Sequence, residues 1–229
     1  MTYIMSDIHG RYDLYARMLE QIECSERDEL YILGDVIDKG EDGIAVLLDL
    51  LKRKNAHLMM GNHEDLALPV LRLVALYQKL EPLTDRFLYK RWMENDGKAT
   101  AKAFLRQDRQ TQQRILSLLQ SLPHRASLTV SGQVYHLSHS LPDEPPVKEN
   151  TPKRDFLWGE PDYRFSYEDH TVFITGHTPT HLIDPACHGR IWRGNGHIAI
   201  DCAAAYGGAL GCVCLETQEE YYVTQEEKP

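Results

Sequence analysis

The chain has 229 residues, enough for one large domain or two small ones and for a sizeable buried core. Its 34 Asp and Glu outnumber 25 Lys and Arg, a formal charge of -9, which argues against nucleic-acid binding and leaves any phosphate in need of a local cationic feature. No stretch approaches the roughly 18 apolar residues of a membrane span, and the start MTYIMSDIHGRY lacks a basic, apolar leader, so a cytoplasmic protein without membrane contact is expected.

In chain order, short apolar runs at 3–6 (YIMS), 30–33 (LYIL) and 57–60 (HLMM) read as buried strands. Between them, 12–22 and 44–54 carry apolar residues at helical spacing, with Leu47, Leu48 and Leu51 on one face of the second. This β-α-β-α-β order predicts a parallel sheet with crossover helices, whose ligands bind beyond the carboxyl ends of the strands. From Asp65 to about Pro123 the sequence turns helical and reads as an insertion or cap. RASLTV, Ser131-Gly132 and QVYHLS form a predicted hairpin, followed by a proline-rich loop over 141–154 near the site. TVFIT (171–175), HIAID (197–201), ALGCVCLE (209–216) and EYYVT (220–224) are the later strands. The five cysteines, with Cys212 and Cys214 on one strand face, read as packing thiols.

Polar clusters follow these strands: Asp7-Ile8-His9-Gly10, Gly34 to Gly40, Gly61-Asn62-His63-Glu64, Ser138-His139-Ser140 and Gly176-His177-Thr178-Pro179. Each alone has a plain reading as a turn or cap, and a lone histidine at a strand end is more often structural. Five together form a mixed oxygen and nitrogen donor set suited to manganese, iron or zinc. They indicate a two-metal hydrolase acting on a phosphoester.

The motifs DIHG, GDVIDKG, GNHE, a histidine closing a strand, and GHTP resemble the phosphoprotein phosphatase group of calcineurin-like metallophosphoesterases. Trp92 with NDGKAT resembles the helical region of bacterial members, and IDCAAAYGGALG the closing strand and its loop. The resemblance implies an α/β fold: a four-layered sandwich of two mixed sheets flanked by helices, one domain over 1–229 with a helical cap at about 65–123. It implies that Asp7 and His9 bind a first divalent ion, that Asp35 bridges to a second, and that Asn62, His139 and His177 complete the second. Manganese is the expected metal, with iron or zinc as alternatives. A hydroxide shared by the ions would attack phosphorus in line, His63 would protonate the leaving group and Asp38 would orient His63.

The usual arginine of the second motif is Lys39 here, which keeps the charge and loses the planar fork. Lys39 and Asn62 would contact the phosphate, and Arg154 and Arg164 are both candidates for a second phosphate-binding arginine. The place where that arginine would be sought holds Glu160. Tyr206 would line the substrate groove. His139 is preferred over His136 because it closes its strand. His57, His124, His170, His181, His188 and His197 read as surface or packing residues. The implied function is hydrolysis of phosphomonoesters, as a serine/threonine protein phosphatase acting on a phosphoprotein or small phosphoester. The alternatives are a symmetrical dinucleoside tetraphosphatase and a non-catalytic scaffold. Loss of metal ligands or of the acid would mark a scaffold, and none is lost. The sequence carries no reading of oligomeric state.

Overall fold

Apolar runs too short for helices and bounded by turn residues form the strands. The structure, a computed structural model, describes residues 1–143, 147–167 and 171–225. His170 and the middle of the proline-rich loop lie outside the described residues. In chain order the elements are β1 (Thr2–Met5), α1 (Tyr12–Gln21), β2 (Glu29–Ile32), α2 (Gly43–Leu50) and β3 (Ala56–Leu58). The helical region follows as α3 (Asn62–Tyr77), α4 (Phe87–Met93), α5 (Lys98–Leu105) and α6 (Arg109–Ser121). Then come β4 (Arg125–Val130), β5 (Gln133–Ser138), α7 (Asp155–Trp158), β6 (Thr171–Thr175), α8 (Thr180–Ile183), β7 (Trp192–Gly194), β8 (His197–Ala199), β9 (Ala209–Cys214) and β10 (Glu220–Thr224).

The strands make two mixed five-stranded sheets, ordered β10-β9-β1-β2-β3 and β4-β5-β6-β8-β7. The first three strands run parallel through α1 and α2, as their order predicts, and β9 returns antiparallel beside β1. Period-2 alternation then divides the core. Ile4 and Val213 point between the sheets toward Leu137, Ile174 and Ile198, while Met5, Cys212 and Cys214 point outward onto the helices. Cys212 and Cys214 are buried free thiols. The outer face of the second sheet packs Phe173 against Leu141 and Phe156.

Two local features depart from the sequence reading. The helical region is broken between α5 and α6, where the Asp108 carboxylate accepts the Thr111 N–H at 2.8 Å and starts α6 afresh. Helix α3 begins at Asn62, so the GNHE motif forms its first turn instead of a turn that precedes it. The short β7, α7 and α8 have no periodicity to reveal them in sequence.

Candidate metal centre

The carboxyl ends of strands from both sheets meet at one place. Asp7 and His9 follow β1, Asp35, Asp38 and Lys39 follow β2, the first turn of α3 carries Asn62 and His63, and His139 and His177 follow β5 and β6. Six of these residues hold left-handed backbone: Asp7, His9, Asp35, Asp38, Lys39 and His177, with φ between 46° and 67°. A side chain there costs of order 1–3 kcal/mol, so surrounding contacts must hold it. They do: the Asp35 carboxylate accepts the His63 N–H at 3.0 Å and Asp7 accepts the His177 N–H at 3.0 Å.

Two glycines of the clusters allow close approach. Gly61 has an extended backbone (φ -100°) open to any residue, but a Cβ on it would collide with the Asp35 carboxylate. A Cβ on Gly176 would likewise collide with Asp7 and Ser6. These two glycines let the chain close against the carboxylates.

The donor set can be tested for a cation by its hydrogen bonds. His139 Nδ1–H donates to the Leu33 carbonyl at 2.7 Å, so its Nε2 carries a lone pair. That lone pair faces Asn62 Oδ1, another acceptor, at 2.7 Å, and Asp35 Oδ2 at 3.5 Å. His9 Nδ1–H donates to the Ile37 carbonyl at 3.1 Å, which aims its Nε2 lone pair at Asp35 Oδ2 (3.6 Å) and Asp7 Oδ1 (3.8 Å). His177 Nδ1 lies 3.1 Å from Asn62 Oδ1. Acceptors converging on acceptors fit positive charge between them. Donor atoms of Asp7, Asp35 and His139 all lie within 4.8 Å of one another, as do those of His9, Asp35 and His63. Burial, with Asp201 and Asp35 close by, pushes the Asp7 carboxyl well above the usual range. Burial and the neighbouring His139 lower His177 to about 4, which keeps it neutral and able to ligate.

His63 stands differently. Its Nδ1 lies 2.9 Å from Asp38 Oδ2, and its Nε2 turns toward the cluster, 3.8 Å from Asp35 Oδ2. Burial works against its protonated form, yet Asp35 and the bond to Asp38 outweigh burial and raise its pKa. Trp92, brought from α4, donates its indole N–H to the same Asp38 oxygen at 2.7 Å. The Asp38 N–H donates to Thr100 Oγ1 of α5 at 3.0 Å. The helical region thus locks the imidazole–carboxylate pair.

A model of the calcineurin-like phosphoesterase family matches residues 2–204. The chain belongs to that family. Among curated proteins it is 33% identical over 85 residues to the symmetrical bis(5'-nucleosyl)-tetraphosphatase of Wigglesworthia glossinidia brevipalpis, a stretch that covers 36% of this chain. It spans only 29% of that relative's length. A crystal structure provisionally named a diadenosine tetraphosphatase superposes with a TM-score of 0.65 at 18% identity, covering 99% of this chain and 94% of the other. A protein serine/threonine phosphatase from Saccharomyces cerevisiae similar to human PP5 gives 0.62 at 13% identity, covering 100% and 81%. At such identities these two likenesses show the fold alone: the α/β metallophosphoesterase sandwich.

Around the centre of this calcineurin-like phosphoesterase the rim is sparser. Lys39 Nζ reaches to 2.7 Å from His9 Nε2 and lies 4.8 Å above the Tyr206 ring, which is 63% exposed. Arg154 is exposed at the N-cap of α7 and contacts none of the cluster. Arg164 is tied to Asp162 at 2.8 Å with its side chain 91% exposed. Arg91, which the sequence did not single out, stands 5.5 Å over the Trp158 ring, itself edge-on 6.2 Å from His177. His136 is turned away, bonded to Ser127 Oγ at 2.7 Å and packed on Phe173.

The roles of three residues escaped the sequence reading. Glu64 accepts the backbone N–H groups of Asp35, Val36 and Gly61 at 2.8 to 3.0 Å and so ties the second and third clusters together. Arg91 gave no signal, being one exposed arginine among many. Asp201 ends β8's run as a buried carboxylate pushed up to about 6 by burial. Its signal was present: HIAID is an apolar strand closing on an acid, like the runs before Asp7 and Asp35.

Proposed function

We propose that the chain is a metal-dependent hydrolase of dinucleoside polyphosphates, cleaving a tetraphosphate symmetrically into two nucleoside diphosphates. The observation that carries the hydrolytic part is the convergence of imidazole lone pairs and carboxylates at the strand ends. The choice of substrate is supported by the identity to a symmetrical tetraphosphatase over the matched stretch, which ranks it above the phosphoprotein reading. Asp7, His9, Asp35, Asn62, His139 and His177 would hold two divalent ions, manganese being the first to try. When bound, such ions polarise a phosphoryl oxygen and lower the pKa of water.

The chain's own residues do the rest. Lys39 and Asn62 place the phosphate, and Lys39 adds fixed positive charge where the pentavalent phosphorus would gather negative charge. Water adds its oxygen to one phosphorus, the central P–O–P bridge breaks, and the second diphosphate departs. His63 Nε2 faces the cluster and can deliver a proton to the departing oxygen, while Asp38, clamped by Trp92, holds the ring and its charge.

A second reading, phosphoserine or phosphothreonine hydrolysis, is favoured by this same His63–Asp38–Trp92 chain. An alkoxide needs a proton to leave far more than a diphosphate does. With manganese added, chromatography should show nucleoside diphosphate as the sole nucleotide product from diadenosine tetraphosphate, at a kcat/KM above that for a phosphoserine peptide. The reverse ranking, or release of monophosphate and triphosphate, would falsify the symmetrical reading.

A further inference from the structure

Helix α5 buries Ala101 and Phe104 against the core, so its other side faces solvent. On that side Lys98, Lys102 and Arg106 recur every fourth residue, the spacing that stacks side chains along one face. With Lys39, Glu41 and Asp96 they line a groove of about 510 Å³. Four cations oppose two carboxylates there, in a chain whose formal charge is -9. None of Lys98, Lys102 and Arg106 has an ion-pair partner among the described residues.

Part of this arrangement works against the helix. The three cations repel one another, and Lys98 occupies the first helical position, where the dipole disfavours positive charge, whereas Lys102 in the last turn and Arg106 at the C-cap stand where the dipole favours it. No acidic residue stands in the first turn to offset Lys98. A polyanion laid across the face would relieve both. The groove also begins where the centre ends: Lys39 lines it and reaches to 2.7 Å from His9, and Thr100 of the same helix bonds Asp38. From Lys98 to Arg106 the stripe runs about 12 Å along the helix axis, longer than a single phosphate needs.

We propose that this groove binds the leaving half of a dinucleoside polyphosphate, with Lys98, Lys102 and Arg106 gripping the phosphates beyond the scissile bond. The proposal rests on the dinucleotide reading of the centre and adds to it a binding surface on the helical region. It makes these residues determinants of specificity: substrates with one phosphate never reach them.

The test is the variant Lys98→Ala/Lys102→Ala/Arg106→Ala. Its KM for diadenosine tetraphosphate should rise by about tenfold or more with kcat within about twofold of wild type, while KM for p-nitrophenyl phosphate stays unchanged. The rise of the dinucleotide KM with added salt should flatten in the variant. Lys98→Arg/Lys102→Arg should keep the wild-type KM, since charge is what the groove supplies. An unchanged dinucleotide KM in the triple variant, or an equal rise for both substrates, overturns the proposal; a melting curve matching wild type guards against misfolding. If the wild-type protein turns over p-nitrophenyl phosphate but not the dinucleotide, the dinucleotide reading fails on its own. The groove is then judged with inorganic tripolyphosphate as a competitive inhibitor: a raised inhibition constant in the variant keeps a polyphosphate groove, and an unchanged one removes it.

Discussion

At the centre, Asp7, His9, Asp35, Asn62 and His139 are each 4% exposed or less and bonded through carbonyls, backbone amides or one another. At the rim, Tyr206 touches little besides Lys39, Arg91 rests on one ring, and Arg154 and Arg164 are exposed. The centre is over-determined and the rim is not. A group that must present a lone pair within tenths of an ångström needs buried partners to hold it, whereas substrate recognition tolerates loosely held charge. Chemistry common to a family can therefore stay in place while specificity is rewritten around it.

The comparison breaks first at Asp35. Asp35→Asn removes the charge that faces His9, His63 and His139 together, so bound metal should fall below two ions per chain and turnover to background. Metal analysis of the purified variant decides this, and two ions in an active variant would move the shared position elsewhere. Next comes His63→Asn, which should keep both ions and cost roughly 100- to 10,000-fold on a phosphoserine peptide, with a smaller loss on p-nitrophenyl phosphate, whose leaving group is stable as an anion. Equal losses on the two substrates would leave His63 as a positioning group.

Trp92→Phe tests whether the helical region belongs to the centre. It removes the indole donor from Asp38, a bond to a charged group worth about 1.5–3 kcal/mol, and should lower stability by that order while weakening turnover of poor leaving groups. Denaturant unfolding and the two-substrate comparison read the two effects separately.

A buried imidazole outside the centre sharpens the contrast. His197 lies among Tyr163, Tyr167 and Trp192, its ring bonds only Thr175 Oγ1 among the described residues, and burial lowers its pKa to about 3. Its folded pKa is below the unfolded value of about 6.5, so the unfolded chain binds the extra proton between them. Its contribution is complete above about pH 6.5 and is lost as pH falls toward 3, by about 1.4 kcal/mol per pH unit. Unfolding free energies measured from pH 4 to 6 should lose that much slope in His197→Phe; an unchanged slope would place the titration elsewhere. The smallest effect is expected at the rim: Arg91→Ala should leave the melting temperature alone and raise KM a few-fold, in line with about 0.5–1 kcal/mol for an exposed cation over a ring. A fall in kcat with KM unchanged would place Arg91 nearer the reacting phosphorus than its position over Trp158 suggests.

What the sequence determined by itself was the list of strand-end clusters and the order of the elements that carry them. Apolar runs closing on Asp, His or Asn are local patterns, and the β-α-β-α-β alternation settles by packing alone that the first three clusters share one sheet edge. Sequence position also favoured His139 over His136, since His139 is the residue that closes its strand. Only the tertiary structure decided which distant groups serve the centre. Trp92 reaches Asp38 across 54 positions and His139 reaches Asn62 across 77, and neither distance follows from any periodicity. The role of Glu64 was hidden for the same reason, since two of its three partners, Asp35 and Val36, lie 29 and 28 positions away. The helical region read as an insertion or cap, but its contribution to the site depends on which faces α4 and α5 present once packed. That is a property of the assembled core, whose contacts join residues far apart in the chain, and no window of sequence contains both members of such a pair.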